Sequence, residues 1–482
     1  MWCYHQREPN EGEGPAKMKY SNEQMVDAVY TPNQLSGEFG NPFLEAMPEM
    51  LAKDVLFERL SSYPQQPFNN RPVPITDRRR SLNALSSAFI PLDYMNVIYN
   101  TLFCAIESTY NTSTTIDSIR RIHAIHQGHD ALLLDTPAAI SSDSGSILGV
   151  PGIGKSSTIR RCLCQIPQVI QHTEYRGQKL YCKQITYLVV ECPSDCSVKT
   201  LALNIIEAID RAIGSSYCEL SGKMTHLPST SALATRVKIL CLTHHIGLIV
   251  IDEIQNAILT ASRTNQDRPL IKFLVELSNE ACTSIYFVGT PSAEDLFLSQ
   301  EHLKRRTRGL RLLPMRPDAV YRRFLHTLWQ FQYTPEKAAF SDGLINLIYD
   351  LSGGIPAYIL KIFHEAQVQA LQTGTPKLDN KMVRQAVEML NITVPKTYAK
   401  GTYLSDFSIC DAEQIETEMR TEPIAPPKEI EQVRRCYANP RGRPKSKRSS
   451  RDILTLVNPG QETEVAKSIL QQAELLEVFT CD

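Results

Sequence analysis

Eight consecutive residues, Gly149-Val150-Pro151-Gly152-Ile153-Gly154-Lys155-Ser156, carry the spacing G-x-x-x-x-G-K-[ST], which suits one chemistry, the wrapping of a phosphate group. Glycines at 149, 152 and 154, with Pro151 and Ile153 between them, let the backbone curl so that successive N–H groups converge. The phosphates would then sit at the positive end of the helix that follows. In this reading Lys155 reaches the β- and γ-phosphates, Ser156 ligates Mg²⁺ and Ser157 continues the same binding turn. A glycine-rich turn with a chance lysine is the competing reading. It is disfavoured by the apolar run Ser146-Ile147-Leu148 before the loop and the helical pattern Ser157 to Cys164 after it.

A second group of reactive side chains lies about a hundred residues downstream. The run from His245 to Ile251 is apolar and too short for a helix, and it ends in Asp252-Glu253. A buried parallel strand that delivers two carboxylates at its C-terminal end suits a magnesium–nucleotide site. Asp252 would hold Mg²⁺, and Glu253 would orient and deprotonate a water for hydrolysis. A third strand, Ser284 to Gly289, ends at Thr290. Thr290 is the candidate polar sensor of the γ-phosphate, and a simple strand-ending threonine remains the alternative. In the stretch His302 to Arg308, Arg305 and Arg306 are candidates to complete a neighbouring subunit's site, where an arginine stabilises charge on a transferring phosphoryl group. A solvated basic helix end fits the same residues.

The order of these pieces resembles a known family. The phosphate loop is followed by Pro167-Gln168-Val169-Ile170-Gln171-His172, Leu188-Val189-Val190-Glu191-Cys192-Pro193, Ile251-Asp252-Glu253-Ile254-Gln255-Asn256 and Val288-Gly289-Thr290. Together they are similar to the AAA+ transposition regulators called TnsC and their shorter relatives called TniB. Upstream, Gly40-Asn41-Pro42-Phe43-Leu44-Glu45-Ala46-Met47-Pro48 resembles the short N-terminal motif of the same group, and the similarity runs from about residue 37 to about residue 365. The resemblance implies an α/β AAA+ P-loop NTPase with a central parallel sheet, a small helical lid and partly ordered N- and C-terminal arms. It also implies an ATP- and Mg²⁺-dependent ATPase that forms a homo-oligomer, ring or filament, on duplex target DNA. Such a protein links a target selector of the TnsD/TniQ type to transposase subunits of the TnsA/TnsB type, with hydrolysis driving disassembly. One departure concerns the lid: Gly353-Gly354-Ile355-Pro356 is followed by Ala357-Tyr358, where such ATPases often place a base. The nearest base is Lys361, a candidate substitute for contact with nucleotide. Two other classes fit the same motifs: a non-catalytic nucleotide-bound adaptor, and a replication-initiator or helicase-loader ATPase.

Composition bounds these readings. With 482 residues and 42% hydrophobic content the chain can bury a large core and hold two or more domains. No apolar run approaches the length needed to span a bilayer, and the first eight residues lack a secretory pattern. The expected setting is therefore the cytoplasm, away from membranes, and the resemblance implies a bacterial one. The 13 cysteines are odd in number and scattered, which suits reduced thiols better than a disulfide framework. His123, His126 and His129 recur every third residue, a pattern more often surface or packing than metal ligation.

Organisation along the chain follows from the same marks. Residues 1–85 are polar and read as an arm, 86–310 as the ATPase domain, 311–393 as the helical lid and 394–482 as a tail. The formal net charge of −1 conceals an asymmetry in that tail. Asp411 to Glu431 holds seven acids against two bases, and Arg434 to Arg451 holds eight Lys or Arg and no acid. Within the basic stretch Pro440-Arg441-Gly442-Arg443-Pro444-Lys445 resembles the AT-hook, in which Arg441, Arg443 and Lys445 would enter a narrow minor groove. A polybasic linker gripping phosphates is the alternative, and both predict DNA contact. The last segment forms an amphipathic pattern of about five helical turns, to dock on a partner or on its own domain. Further DNA contacts are expected on Arg176, Lys179 and Lys183, and on Lys199 and Thr200, between the phosphate-loop helix and the acidic strand.

Overall fold

The computed structural model describes residues 25–36, 40–64, 73–112, 144–195, 197–218, 228–256, 267–281, 283–294, 307–392, 394 and 402–404. The chain divides into two units, Met1–Ile409 and Cys410–Asp482, and every described residue belongs to the first. The acidic segment, the AT-hook-like stretch and the terminal amphipathic pattern lie outside the described residues, as do Arg305, Arg306 and the three spaced histidines.

At the centre is a six-stranded sheet built from β2 (Ser144–Gly149), β5 (Tyr187–Glu191), β6 (Leu248–Asp252), β7 (Ser284–Gly289), β8 (Thr307–Leu313) and β9 (Thr402–Tyr403). Their order is β5-β6-β7-β2-β8-β9, and every neighbouring pair is parallel. Sheets of this kind are covered on both faces, so their strands read as continuous apolar runs. β2, β6 and β7 are buried along their whole length. Alternate residues serve two separate cores: Ile147, Val250 and Val288 face one, and Leu148, Ile251 and Phe287 the other. Gly145 is required by a close approach within the sheet, since a Cβ there would lie 2.3 Å from the Tyr286 ring on β7.

The second core is formed with α6 (Val198–Ile213), α7 (Thr230–Thr243) and α8 (Asp267–Glu280). The first core is formed with α4 (Asp93–Thr112) and α5 (Lys155–Leu163), and with helices from both ends of the described chain. On the C-terminal side these are α9 (Ala319–Trp329), α10 (Asp342–Ser352), α11 (Pro356–Thr373) and α12 (Asn380–Leu390), the helical stretch expected as a lid. Asp318 caps α9 and Asp379 caps α12, each accepting main-chain N–H groups that the first turn leaves unpaired.

On the N-terminal side, the stretch read as an arm contributes α1 (Pro42–Glu45), α2 (Lys53–Leu60) and α3 (Ile75–Leu82). Phe43, Leu44, Leu56, Leu60 and Leu82 are each 1% exposed or less and belong to the core shared with α4 and the lid helices. Asn41 explains part of this: its side chain accepts from Phe43 N and Leu44 N to start α1, and its amide donates to Tyr110 O on α4 at 2.8 Å.

A smaller sheet pairs β1 (Met25–Asp27) parallel to β3 (Val169–Tyr175), which turns into antiparallel β4 (Gln178–Ile185). The two-residue turn Arg176-Gly177 has φ of 49° and 81°, the positive values a tight hairpin needs at both positions. Two further boundaries differ from the pattern reading. The apolar run after His244 enters β6 only at Leu248, because His245 sits at φ 46° and Ile246 N bonds back to Cys241 O to close α7. Thr307 and Arg308, expected near a basic helix end, begin β8, where they pair with Ser144 and Gly145.

Candidate functional site

Parallel strands with a common direction bring their C-terminal ends to one edge of the sheet, where ligands bind in open α/β folds. Here that edge collects Gly149 from β2, Asp252 from β6 and Gly289-Thr290 from β7, the last strand lying between the other two. The loop from Gly149 runs into α5, whose first residue is Lys155. Gly152 and Gly154 adopt φ of 82° and 99°. Left-handed backbone of this kind turns consecutive N–H groups into one concavity. Ser156 is half-buried and Ser157 exposed on the first turn of α5, while Ile153 is buried and Pro151 exposed.

Lys155 is buried, and its Nζ donates to Gly149 O at 2.6 Å and Val150 O at 3.2 Å. Burial pulls its ammonium below the usual lysine range, and the nearby carboxylates of Glu253 and Asp252 oppose that pull. The lysine of one segment and the acid pair of another thus share one electrostatic neighbourhood. Asp252 is 4% exposed and ends β6; its Oδ1 accepts from Glu253 N at 2.9 Å. Glu253 is exposed and held at φ 57°, a conformation rare outside glycine. A concave set of backbone N–H groups, a buried ammonium and a buried carboxylate can together hold a phosphate chain and a divalent cation.

Three supports were not legible from the motifs. Tyr94 on α4 is fully buried beneath the loop; its hydroxyl donates to Ile153 O at 3.2 Å and meets Thr158 Oγ1 at 3.2 Å. Burial raises that hydroxyl well above the usual tyrosine range, so it stays protonated as a donor. No local signal marks Tyr94, because its partners lie about sixty residues away. Gln255 bonds both Glu253 and Thr290. Its position two residues past the acid pair was the available clue. The third support is α11, in the stretch expected as a lid: Ala357 N donates to Gly152 O at 3.1 Å. Lys361 is exposed on α11, one turn beyond Ala357, so an alanine and not a base stands next to the loop.

The residues expected to meet DNA do not form one patch. Arg176 pairs with Glu45 Oε1 at 3.1 Å, and Tyr175 donates to Glu45 Oε2 at 2.9 Å, so this arginine helps fasten α1 to the hairpin. Lys179 is exposed on β4, and Lys183 Nζ donates to Ile213 O at 3.1 Å, at the end of α6. Lys199 and Thr200 lie at the other end of this 16-residue helix, about 20 Å away. There Thr200 Oγ1 donates to Asp195 Oδ2 at 2.9 Å, and Lys199 is partly exposed. Among the described residues no group of three metal-binding side chains occurs, and no helix is long and apolar enough to cross a membrane.

Strand order, phosphate loop and acid pair together define an AAA+ P-loop fold. Residues 141–297 match the family model of an AAA domain. No curated protein matches the chain. Among solved structures it is similar to the ORC2 protein of Aeropyrum pernix in ADPNP–ADP complexes, at 15% identity over 57% of this chain and 67% of that one, with a TM-score of 0.33. It is also similar to a Walker-type ATPase of Pyrococcus abyssi, at 13% identity over 66% and 75% of the two chains, with a TM-score of 0.32. The Aeropyrum pernix ORC1 protein in complex with DNA is 15% identical over 56% of this chain and 65% of that one, with a TM-score of 0.36.

Proposed function

We propose that this chain is an ATP-driven regulator of DNA transposition, which oligomerises on duplex target DNA and links a target selector to the transposase. The observation that carries the ATPase part is that the loop with Lys155 and the acid pair Asp252-Glu253 lie at the same edge of the sheet, with the carboxylates acting electrostatically on the ammonium. The residues fit a magnesium–nucleoside triphosphate: glycines at positive φ, a helix N-terminus that carries Ser156, one buried ammonium and one buried carboxylate. When bound, ATP with Mg²⁺ would supply the phosphoanhydride whose cleavage switches the assembly. The loop N–H groups and Lys155 would grip its phosphates, and Ser156 and Asp252 would hold the cation. Glu253 would accept the proton of a water at its carboxylate, with Thr290 positioned beside it. Arg305 and Arg306 are proposed to act across the subunit interface.

The transposition part rests on the motif resemblance. One structural relationship supports treating its two distinctive pieces as a unit. Gln184 Nε2 donates to Phe43 O at 3.1 Å, and the Phe43 and His172 rings meet edge to face at 5.5 Å, so Gly40–Pro48 and Pro167–His172 pack together. DNA contact is assigned to Lys179, Lys199 and the basic tail with Arg441, Arg443 and Lys445.

The test is turnover of ATP with and without duplex DNA for the native chain and Glu253→Gln, together with imaging on DNA. DNA-stimulated turnover that falls about a hundredfold in the variant, with long-lived oligomers on DNA, supports the reading. Equal turnover in both proteins, or normal disassembly of the variant, refutes it.

A further inference from the structure

The segment after the acid pair is pinned from two sides. Ile254 N donates to Val288 O at 3.0 Å, which fastens it to β7, and Asn256 Nδ2 donates to Cys192 O at 3.1 Å, which fastens it to the end of β5. Gln255 stands between these anchors, half-buried, with its carboxamide oxygen against Gly289 and Thr290 at the end of β7. Thr290 N donates to Gln255 Oε1 at 3.1 Å. That bond settles which end of the amide is oxygen, since an N–H requires an acceptor. The NH₂ end therefore faces Glu253, and it donates to Glu253 Oε2.

Glu253 is the group so held. It occupies the left-handed region at φ 57°, a strained position that persists only where its surroundings enforce it. Its backbone N–H is fixed by Asp252 Oδ1 and its side chain by Gln255. Apart from that amide contact the carboxylate is exposed. Gly289 completes the arrangement, because a Cβ there would lie 2.6 Å from Gln255 Oε1. The absence of a side chain at 289 is what leaves room for the amide.

We propose that Gln255 is a positioning residue that latches the Glu253 carboxylate through Oε2 to the end of β7, fixing its orientation until Thr290 moves. The inference rests on the hydrolytic reading of Glu253. The bridge has two bonds in series, so displacing Thr290 loosens the amide and frees the carboxylate. The base is thereby coupled to the strand end that lies beside the phosphate loop, and hydrolysis is suppressed when that end is at rest.

Gln255→Ala removes both bonds. Its DNA-free ATP turnover should rise about tenfold, the equilibrium weight of one hydrogen bond to a charged group, while the DNA-stimulated rate stays near that of the native chain. A DNA-free rate that is unchanged or lower overturns the latch. Amide hydrogen exchange in the nucleotide-free protein supplies a readout independent of turnover. Thr290 N–H should exchange faster in Gln255→Ala and in Gly289→Ala, whereas Gln255→Glu, which keeps an acceptor for it, should preserve its protection. Equal protection in the native chain and Gln255→Ala overturns the bridge itself. Failure of the hydrolytic reading shows separately, as native turnover that Glu253→Gln does not change, and the exchange data still decide whether the bridge exists.

Discussion

Ala357 N–H donates to Gly152 O at 3.1 Å, so the first turn of the lid helix α11 and the phosphate loop share a hydrogen bond. Ile355 and Ala357 also pack closely over Gly152, where a Cβ would meet Ile355 Cγ2 at 3.2 Å and Ala357 Cβ at 3.3 Å. At this point α11 contacts the loop through backbone and apolar side chains.

Gly152→Ala should separate the two. The new Cβ would be strained at φ 82° and crowded by the lid, a cost of about 1–3 kcal/mol. Thermal denaturation should report the loss, and amide exchange at the start of α11 should quicken. Unchanged exchange there would show that the lid does not rest on Gly152.

Tyr94→Phe deletes the hydroxyl that spans Ile153 O and Thr158 Oγ1 beneath the loop. Leaving such buried groups unpaired costs about 1–3 kcal/mol. Stability should fall by that order in urea denaturation, and affinity for ADP should weaken because the loop loses its floor. A variant with native ADP affinity would assign Tyr94 to the core alone.

Lys155→Ala removes the only ammonium that the described loop carries. Hydrogen bonds from a charged donor are worth about 1.5–3 kcal/mol, so ATP and ADP affinities should drop about ten- to a hundredfold in calorimetric titration. The rise in melting temperature on adding nucleotide should vanish with it. Retained affinity would place the nucleotide elsewhere.

Acid should destabilise the fold through His245. Burial lowers its pKa to about 3, with His172 and His244 adding repulsion, and its Nδ1 finds no hydrogen-bond partner among the described residues. The unfolded chain then binds the extra proton below about pH 6.5, so stability is complete above that value and is lost progressively as pH falls toward 3. By pH 5 the loss is about 2 kcal/mol, and His172 and His244 shift in the same direction. His245→Asn, a residue tolerant of φ 46°, should flatten the urea midpoint between pH 7 and pH 5. An unchanged slope would remove His245 from the titration.

What the sequence made legible follows one physical rule. Gly149–Ser156, Asp252-Glu253 and the strand ending at Thr290 announce themselves because a loop, a helix start and buried strands impose local spacing. Tyr94, Gln255 and Glu45 do not, since their roles come from partners brought close by the sheet. Arg176 shows the reverse case: its type and its place between the phosphate-loop helix and the acidic strand suggested DNA, and only Glu45, 131 positions earlier, reveals the competing pairing. The polar character of residues 1–85 likewise concealed the few leucines and Phe43 that enter the core, because their neighbours in space are distant in the chain.

The Tyr30 hydroxyl meets His172 Nδ1 across 142 positions, and Phe43 O receives Gln184 across 141. During synthesis the first of these residues leave the ribosome long before their partners exist. Asn41 and Phe43 can meet Tyr110 as soon as α4 has been made, whereas the Tyr30 hydroxyl and Phe43 O must wait for β3 and β4. Completion of the leading segment's docking is therefore a late event in maturation, and a chain interrupted before about residue 185 would leave the bonds of Tyr30 and Phe43 to the hairpin unmade.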